Sequence, residues 1–294
     1  MMLSSYLTEV LGNSQSLDGG AMFGNAPRAL WETWIKPDSI GRISLACRSM
    51  LIEIDSTKIL CEVGVGCFFD PTLAERYGVT EADHVLIKNL NRIGLSDQDI
   101  DFVILSHLHF DHAGGLLPPW SDTRGAPTRL LFPKAKYVVG KEALQRAVAP
   151  HPRDRASFIP ELPHLLQSSS RLIVVEGESH PEVLPERIRF FYTHGHTPGH
   201  MHTVVQGNSQ TVTFAGDLVP GTAWVNLPIT MGYDRYAEKV IDEKQDLYNS
   251  ISGEMNQWLF YTHDNITALS RIVRTPKGKY TPEELIVKPE RWSF

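Results

Sequence analysis

Between Ser106 and Gly115 the chain reads Ser-His-Leu-His-Phe-Asp-His-Ala-Gly-Gly, which places His107, His109, Asp111 and His112 within six positions. The apolar run Phe102-Val103-Ile104-Leu105 comes directly before them. A short apolar run predicts a buried strand, and a strand sends residues two apart to the same face, so His107 and His109 can reach one metal ion together. Asp111 and His112 follow where the chain turns toward Ala113-Gly114-Gly115, and the change of direction lets them face a second ion beside the first. A polar surface turn is the plainer alternative. It is disfavoured because imidazoles and a carboxylate this crowded would repel on protonation and contribute no packing.

The second half of the chain repeats one arrangement, an apolar strand running into a polar ligand. Ile188–Tyr192 leads into Thr193-His194-Gly195-His196-Thr197-Pro198-Gly199-His200, Thr211–Gly216 into Asp217, and Trp258–Thr262 into His263-Asp264. With the first motif, four strands from two halves of the chain deliver ligands to one edge, as a site at the rim of a β-sandwich requires. Strands are also expected over 43–47, 50–54 and 58–64, with a turn at Asp55-Ser56-Thr57, and over 136–139. Helical spacing runs from Glu81 to Ile93, closed by Gly94, and again from Tyr236 to Ile251. Leu117 to Pro133 reads as an irregular loop, and residues 141–170 as short helices forming a cap.

With 294 residues and 42% hydrophobic content, the chain is long enough for one large core, and we read 1–294 as a single domain. A net charge of -6 and the lack of a basic stripe argue against a nucleic-acid partner. The opening residues Met1 to Glu9 lack a basic head and an apolar run, and there is no stretch of eighteen apolar residues, so neither export nor a membrane is expected and a cytoplasmic location is. Cys47, Cys61 and Cys67 have no Cys-x-x-Cys spacing and lie in strand-like stretches, which suits reduced core thiols.

The series His-x-His-x-Asp-His-x-Gly-Gly, Gly-His-Thr-Pro-Gly-His, Phe-Ala-Gly-Asp and Tyr-Thr-His-Asp, in this order across residues 107 to 263, resembles the metallo-β-lactamase superfamily. The resemblance implies an α/β fold, an αββα sandwich with a dinuclear metal site at the strand ends. It further implies that His107, His109 and His200 bind the first metal, that Asp111, His112 and His263 bind the second, and that Asp217 bridges both. Of the twelve histidines, five enter this set. His194 and His196 are then loop-fixing or supporting groups, and His84, His151, His164, His180 and His202 ordinary surface or satisfied side chains. Ser106, Thr197 and Thr262 are nearby candidates to orient the ligands.

Within the superfamily, Asp217 stands where the best-known β-lactamases carry Cys, and His109 where the flavodiiron oxygen reductases carry Glu. The chain also has neither the inserted domain nor the basic arm of the nucleases. The segment Asp18-Gly19-Gly20-Ala21-Met22-Phe23-Gly24, within an N-terminal stretch 1–40 expected near the pocket, looks like the opening of the quorum-quenching lactonase branch. Gly216-Asp217-Leu218-Val219-Pro220 and Met231-Gly232-Tyr233-Asp234 resemble that branch as well.

The resemblance supports a hydrolase that opens a lactone or small ester through a metal-bridging hydroxide, since metal binding lowers the pKa of water toward about 7. Asp111 would orient the nucleophile and pass its proton to the leaving alkoxide, Tyr233 would donate to the substrate carbonyl, and Met22 and Phe23 would line an acyl-chain site. Zn suits the nitrogen and oxygen donors, as do Fe, Mn and Co. Phosphotriester, aryl ester or thioester hydrolysis, the last as in glyoxalase II, and a catalytically silent metal-binding protein are the competing readings. The expected partner is a small-molecule lactone or ester, and a second copy of the chain is the family expectation; the apolar residues Phe23, Leu30, Trp31 and Trp34 would pack against that copy or fold back on their own domain.

Overall fold

The computed structural model describes residues 5–124 and 129–294; the first four residues of the 1–40 stretch, and residues 125–128 of the expected loop, lie outside the described residues. In chain order the strands are β1 (Ser5–Leu11), β2 (Gln15–Asp18), β3 (Arg42–Leu45), β4 (Arg48–Ile54), β5 (Thr57–Cys61), β6 (Phe102–Leu105), β7 (Lys136–Gly140), β8 (Leu172–Val175), β9 (Ile188–Thr193), β10 (His200–Gln206), β11 (Thr211–Phe214), β12 (Gln257–Phe260), β13 (Leu269–Arg274), β14 (Tyr280–Ile286) and β15 (Trp292–Ser293). They form a seven-stranded sheet in the order β15-β1-β4-β5-β6-β7-β8 and a six-stranded sheet in the order β14-β13-β12-β11-β10-β9, with β2 and β3 paired apart.

The two-residue period of the strands decides what each sheet face buries. In β4, Met50 and Ile52 point into the layer between the sheets, where they meet Phe190, Met201, Phe214 and Phe260 of the second sheet. Leu51, between them in sequence, points to the opposite face and packs with Leu86, Leu90, Leu144 and Leu166 from helices. On the outer face of the second sheet, Leu259 and Tyr261 pack with Val240, Leu247, Tyr248 and Ile251 of the helix Ala237–Ile251. The layers are therefore helix, sheet, sheet, helix, as expected.

Pairing direction positions the ligands. β11 and β12 run parallel, so their C-terminal ends emerge side by side, one toward Asp217 and the other toward His263. β6 is parallel to β5 and β7, and its C-terminal end carries His107. Backbone bonds then join the two sheets at this edge: Met201 N donates to Ser106 O at 2.8 Å, Arg48 N to Thr262 O at 2.9 Å and Ala46 N to His263 O at 3.3 Å.

The helix expected over 81–93 forms as Val85–Arg92, because His84 caps it, its Nδ1 accepting from Ile87 N at 3.4 Å. The cap over 141–170 contains the helices Lys141–Val148 and Leu162–Ser168. Within the expected loop 117–133 a short helix, Trp120–Thr123, is present. Cys47, Cys61 and Cys67 are free and buried. Among the described residues, no helix is long and apolar enough to cross a membrane.

Candidate metal centre

His107, His109, His196 and Asp217 bring one donor atom each to within 4.8 Å of one another, as do Asp111, His112 and His263. The two groups share an edge. His196 Nε2 lies 3.3 Å from Asp217 Oδ2, whereas His112 Nε2 and His263 Nε2 lie 3.3 and 3.2 Å from Asp217 Oδ1. Each Asp217 oxygen thus faces a different group. His263 Nε2 also approaches Asp111 Oδ2 at 3.5 Å.

The imidazoles are held from behind. Buried Glu62 accepts from Ser106 Oγ through Oε1, and its Oε2 lies 2.8 Å from His112 Nδ1 and accepts from Thr262 Oγ1 at 3.3 Å. Ser106 Oγ in turn meets His107 Nδ1 at 2.9 Å, His263 Nδ1 meets Ala46 O at 2.7 Å, and His196 Nδ1 meets Asp234 Oδ1 at 2.8 Å. Occupying the outer nitrogen fixes ring orientation and frees the inner one as a donor. Gln15 Nε2 donates to Asp111 Oδ2 at 2.7 Å, which ties the N-terminal segment to the site. Glu62 itself sits at φ 62°, a left-handed conformation that costs a non-glycine residue energy and that the contacts of its carboxylate offset.

The glycines closing the first motif are there for space. A Cβ on Gly114 would come within 2.3 Å of Val65 O, and one on Gly115 within 2.0 Å of Val63 O, so only glycine lets the turn bearing Asp111 and His112 press against the end of β5.

The donor set fits a divalent metal site. His107 Nε2, His109 Nε2 and Asp217 Oδ1 are buried without a hydrogen-bond partner, a costly state for polar atoms unless something else satisfies them. Burial first, and then the neighbouring imidazoles, push His107 and His109 well below the usual imidazole range, so they are neutral, as ligands must be. At Asp217 burial opposes charge, but the neighbouring His112, His263 and His196 outweigh it and hold the carboxyl well below its ordinary range.

Two expectations are corrected. Among the described residues His200 is in none of the donor groups, and His196 is the histidine that stands with His107, His109 and Asp217. His196 lies in the turn between β9 and β10 and aims at the site, whereas His200 is the first residue of β10, its direction set by pairing with Thr193, and its Nε2 packs against Gly216, where an added Cβ would come within 2.5 Å of it. Phe23 is the second correction. It is fully buried, stacked at 4.6 Å on Trp224 and at 5.6 Å on Trp31, and belongs to the core. Met22 does reach the cavity over the site, a space of about 170 Å³ that Leu17, Tyr77, Arg153, Met231 and Tyr233 also line. Trp31 is buried as well, leaving Leu30 and Trp34 exposed.

His194 fixes the turn, its Nδ1 accepting from Gly199 N at 3.1 Å. His84 and His202 are held inside the fold, His84 Nε2 on Gly115 O at 2.9 Å and His202 Nε2 on Thr193 Oγ1 at 2.7 Å. The supporting groups that sequence reasoning missed are Glu62, Gln15 and Asp234. Glu62 had one signal, an acidic residue in an otherwise apolar strand end, Cys61-Glu62-Val63-Gly64.

Residues 44–259 match the family model described as "Metallo-beta-lactamase superfamily", which spans more than half of the chain. The chain belongs to this superfamily. An N-acyl homoserine lactonase of Bacillus thuringiensis is 32% identical over 170 residues, 53% of this chain and 56% of that protein. The chain therefore spans about half the length of the lactonases it matches. A probable metal-dependent hydrolase from Staphylococcus aureus superposes with a TM-score of 0.82 and 25% identity over 98% of this chain and 100% of the other. The dizinc quorum-quenching lactonase AidC, solved with a product, N-hexanoyl-L-homoserine, has the same fold at a TM-score of 0.75, with 19% identity and 97% of each chain covered.

Proposed function

We propose that this superfamily member is a metal-dependent hydrolase that opens a lactone or small ester. The observation that carries the reading is the convergence of seven donor side chains, His107, His109, His196, Asp111, His112, His263 and Asp217, beneath one small cavity. Imidazole and carboxylate donors suit Zn, and also Fe, Mn or Co. Two such ions, when bound, would supply Lewis acidity and acidify water near neutral pH.

The chain's own residues do the rest. Met22, Leu17 and Met231 give the cavity an apolar wall that favours a carbon chain over solvent. Tyr233 faces the same space. Burial, with the charges of Asp111 and Asp18, pushes its phenol up to about 12, so it stays protonated and can donate to the substrate carbonyl oxygen. Asp111, fixed by Gln15, sits at the cavity floor and can accept the proton of the attacking water at a carboxylate oxygen. As hydroxyl adds to the carbonyl carbon and the C–O bond breaks, the same oxygen returns that proton to the leaving alkoxide. A lactone then yields one hydroxy acid.

The relatives support the choice of substrate class, since those matched in sequence carry the name N-acyl homoserine lactonase. Protein of measured metal content should hydrolyse short- and long-chain acyl homoserine lactones, and His109→Ala should abolish the turnover. A metal-loaded protein that leaves both lactones and simple esters intact would defeat the proposal, and turnover of an aryl phosphotriester alone would favour attack at phosphorus instead.

A further inference from the structure

Asp234 touches both halves of the site. Its side chain is buried, and its two carboxylate oxygens serve different masters: Oδ1 lies 2.8 Å from His196 Nδ1, and Oδ2 accepts from Met231 N at 2.7 Å. Backbone bonds tighten the same junction, with Arg235 N donating to His196 O at 3.1 Å and Tyr236 N to Gly195 O at 2.8 Å. The segment so held is the one that carries Met231 and Tyr233 to the cavity. Its far side is clipped as well. Gly232 N donates to Ala21 O at 2.8 Å, beside Met22, and Arg153 Nη2 donates to Gly232 O at 3.0 Å.

We propose that Asp234 is a positioning residue that couples the metal ligand His196 to the substrate wall Met231–Tyr233, so that metal loading and ordering of the wall are one equilibrium. The proposal rests on reading His196 as a ligand. The physics is direct. A ring held at Nδ1 by a carboxylate presents Nε2 in one orientation, and a carboxylate that also accepts from Met231 N cannot keep both bonds unless the loop stays in place. Coupling is reciprocal, so whatever orders the loop must also tighten the metal.

The test needs no substrate. Zn(II) affinity is measured by chelator competition, and hydrogen exchange is followed over residues 229–236 with and without Zn(II), in the wild type, Asp234→Asn and Asp234→Ala. In the wild type, Zn(II) should slow exchange over this segment. Asp234→Ala should bind Zn(II) about 10- to 100-fold more weakly and lose the metal-dependent protection, with Asp234→Asn between, because its amide oxygen still accepts from the ring without the charge. Should Asp234→Ala fail to fold by near-ultraviolet circular dichroism, Asp234→Asn decides alone. A folded variant with wild-type affinity, or one that loses affinity yet keeps full metal-dependent protection of the loop, overturns the coupling while leaving the ligand reading intact. A wild-type protein that binds no Zn(II) overturns both.

Discussion

Met22 and Phe23 are neighbours in the short helix Gly19–Phe23, and a helix turns successive side chains about 100° apart. One reaches the cavity. The other is sandwiched between Trp31 and Trp224, whose indole Nε1 donates to Met22 O at 2.8 Å and locks the pair of residues in place. Phe23→Ala would leave a void between two indoles and should lower unfolding stability by about 3–5 kcal/mol, read from a denaturant midpoint. Met22→Ala should cost less stability and act chiefly on KM for long-chain substrates. If Phe23→Ala instead left stability untouched and changed only substrate preference, the assignment of Phe23 to the core would be wrong. At this scale the clustering of His107, His109, Asp111, His112, Asp217 and His263 was legible in the sequence, because motif spacing and strand ends constrain them. The choice between His196 and His200 was not, because it depends on where the turn stops and β10 begins, and no residue type marks that boundary.

At the scale of elements, the helix Ala237–Ile251 does more than cover the second sheet. Its Lys244 is fully buried and donates from Nζ to Ile229 O, Asn226 O and Leu227 O at 2.9, 3.0 and 3.1 Å, holding the loop that leads to Met231. Burial pushes its amine down to about 7, with Asp234 pulling the other way. In an unfolded chain the amine titrates near 10.4. Between these values the unfolded state binds more protons than the folded one, so stability should rise with pH across about 7 to 10, by at most ~1.4 kcal/mol per pH unit, with the full cost of charging borne below 7. Comparing wild type with Lys244→Met isolates this contribution: thermal midpoints measured from pH 7 to 9 should climb more steeply in the wild type. Equal slopes would mean that the three carbonyls keep the ammonium charged throughout. That both long helices and the ligand strands were readable follows from strong periodicity. The early start expected for the helix ending at Arg92 was wrong because a histidine cap is a weak signal beside Ser, Thr, Asp or Asn.

For the molecule as a whole, the donor groups come from both sheets, with His107, His109, Asp111 and His112 following β6 in one and His196, Asp217 and His263 following β9, β11 and β12 in the other. Metal bound there would tie the sheets together and so bind the folded state alone. At a free metal concentration 100 times the dissociation constant the gain is about 2.7 kcal/mol. Removing metal with a chelator should therefore lower the thermal midpoint by roughly 5 °C or more in a chain of this size, with recovery on adding metal back. An unchanged midpoint in protein shown to have lost its metal would argue that the two sheets close without it. The same closure explains why Gln15, Glu62 and Asp234 escaped notice. Each lies far along the chain from the group it supports, 96 residues in the case of Gln15 and Asp111.

What residue order settles here is local: which stretches are strands, which faces are apolar, and that a dense run of imidazoles and carboxylates follows the apolar run that becomes β6. Those properties depend on periodicity and residue type, which a linear chain displays openly. What the tertiary structure decided is which of several equivalent side chains meet. His196 rather than His200 beside Asp217, Phe23 in the core rather than the cavity, and Asp234 shared between His196 and Met231 all depend on distances closed in three dimensions, and no local pattern encodes a distance.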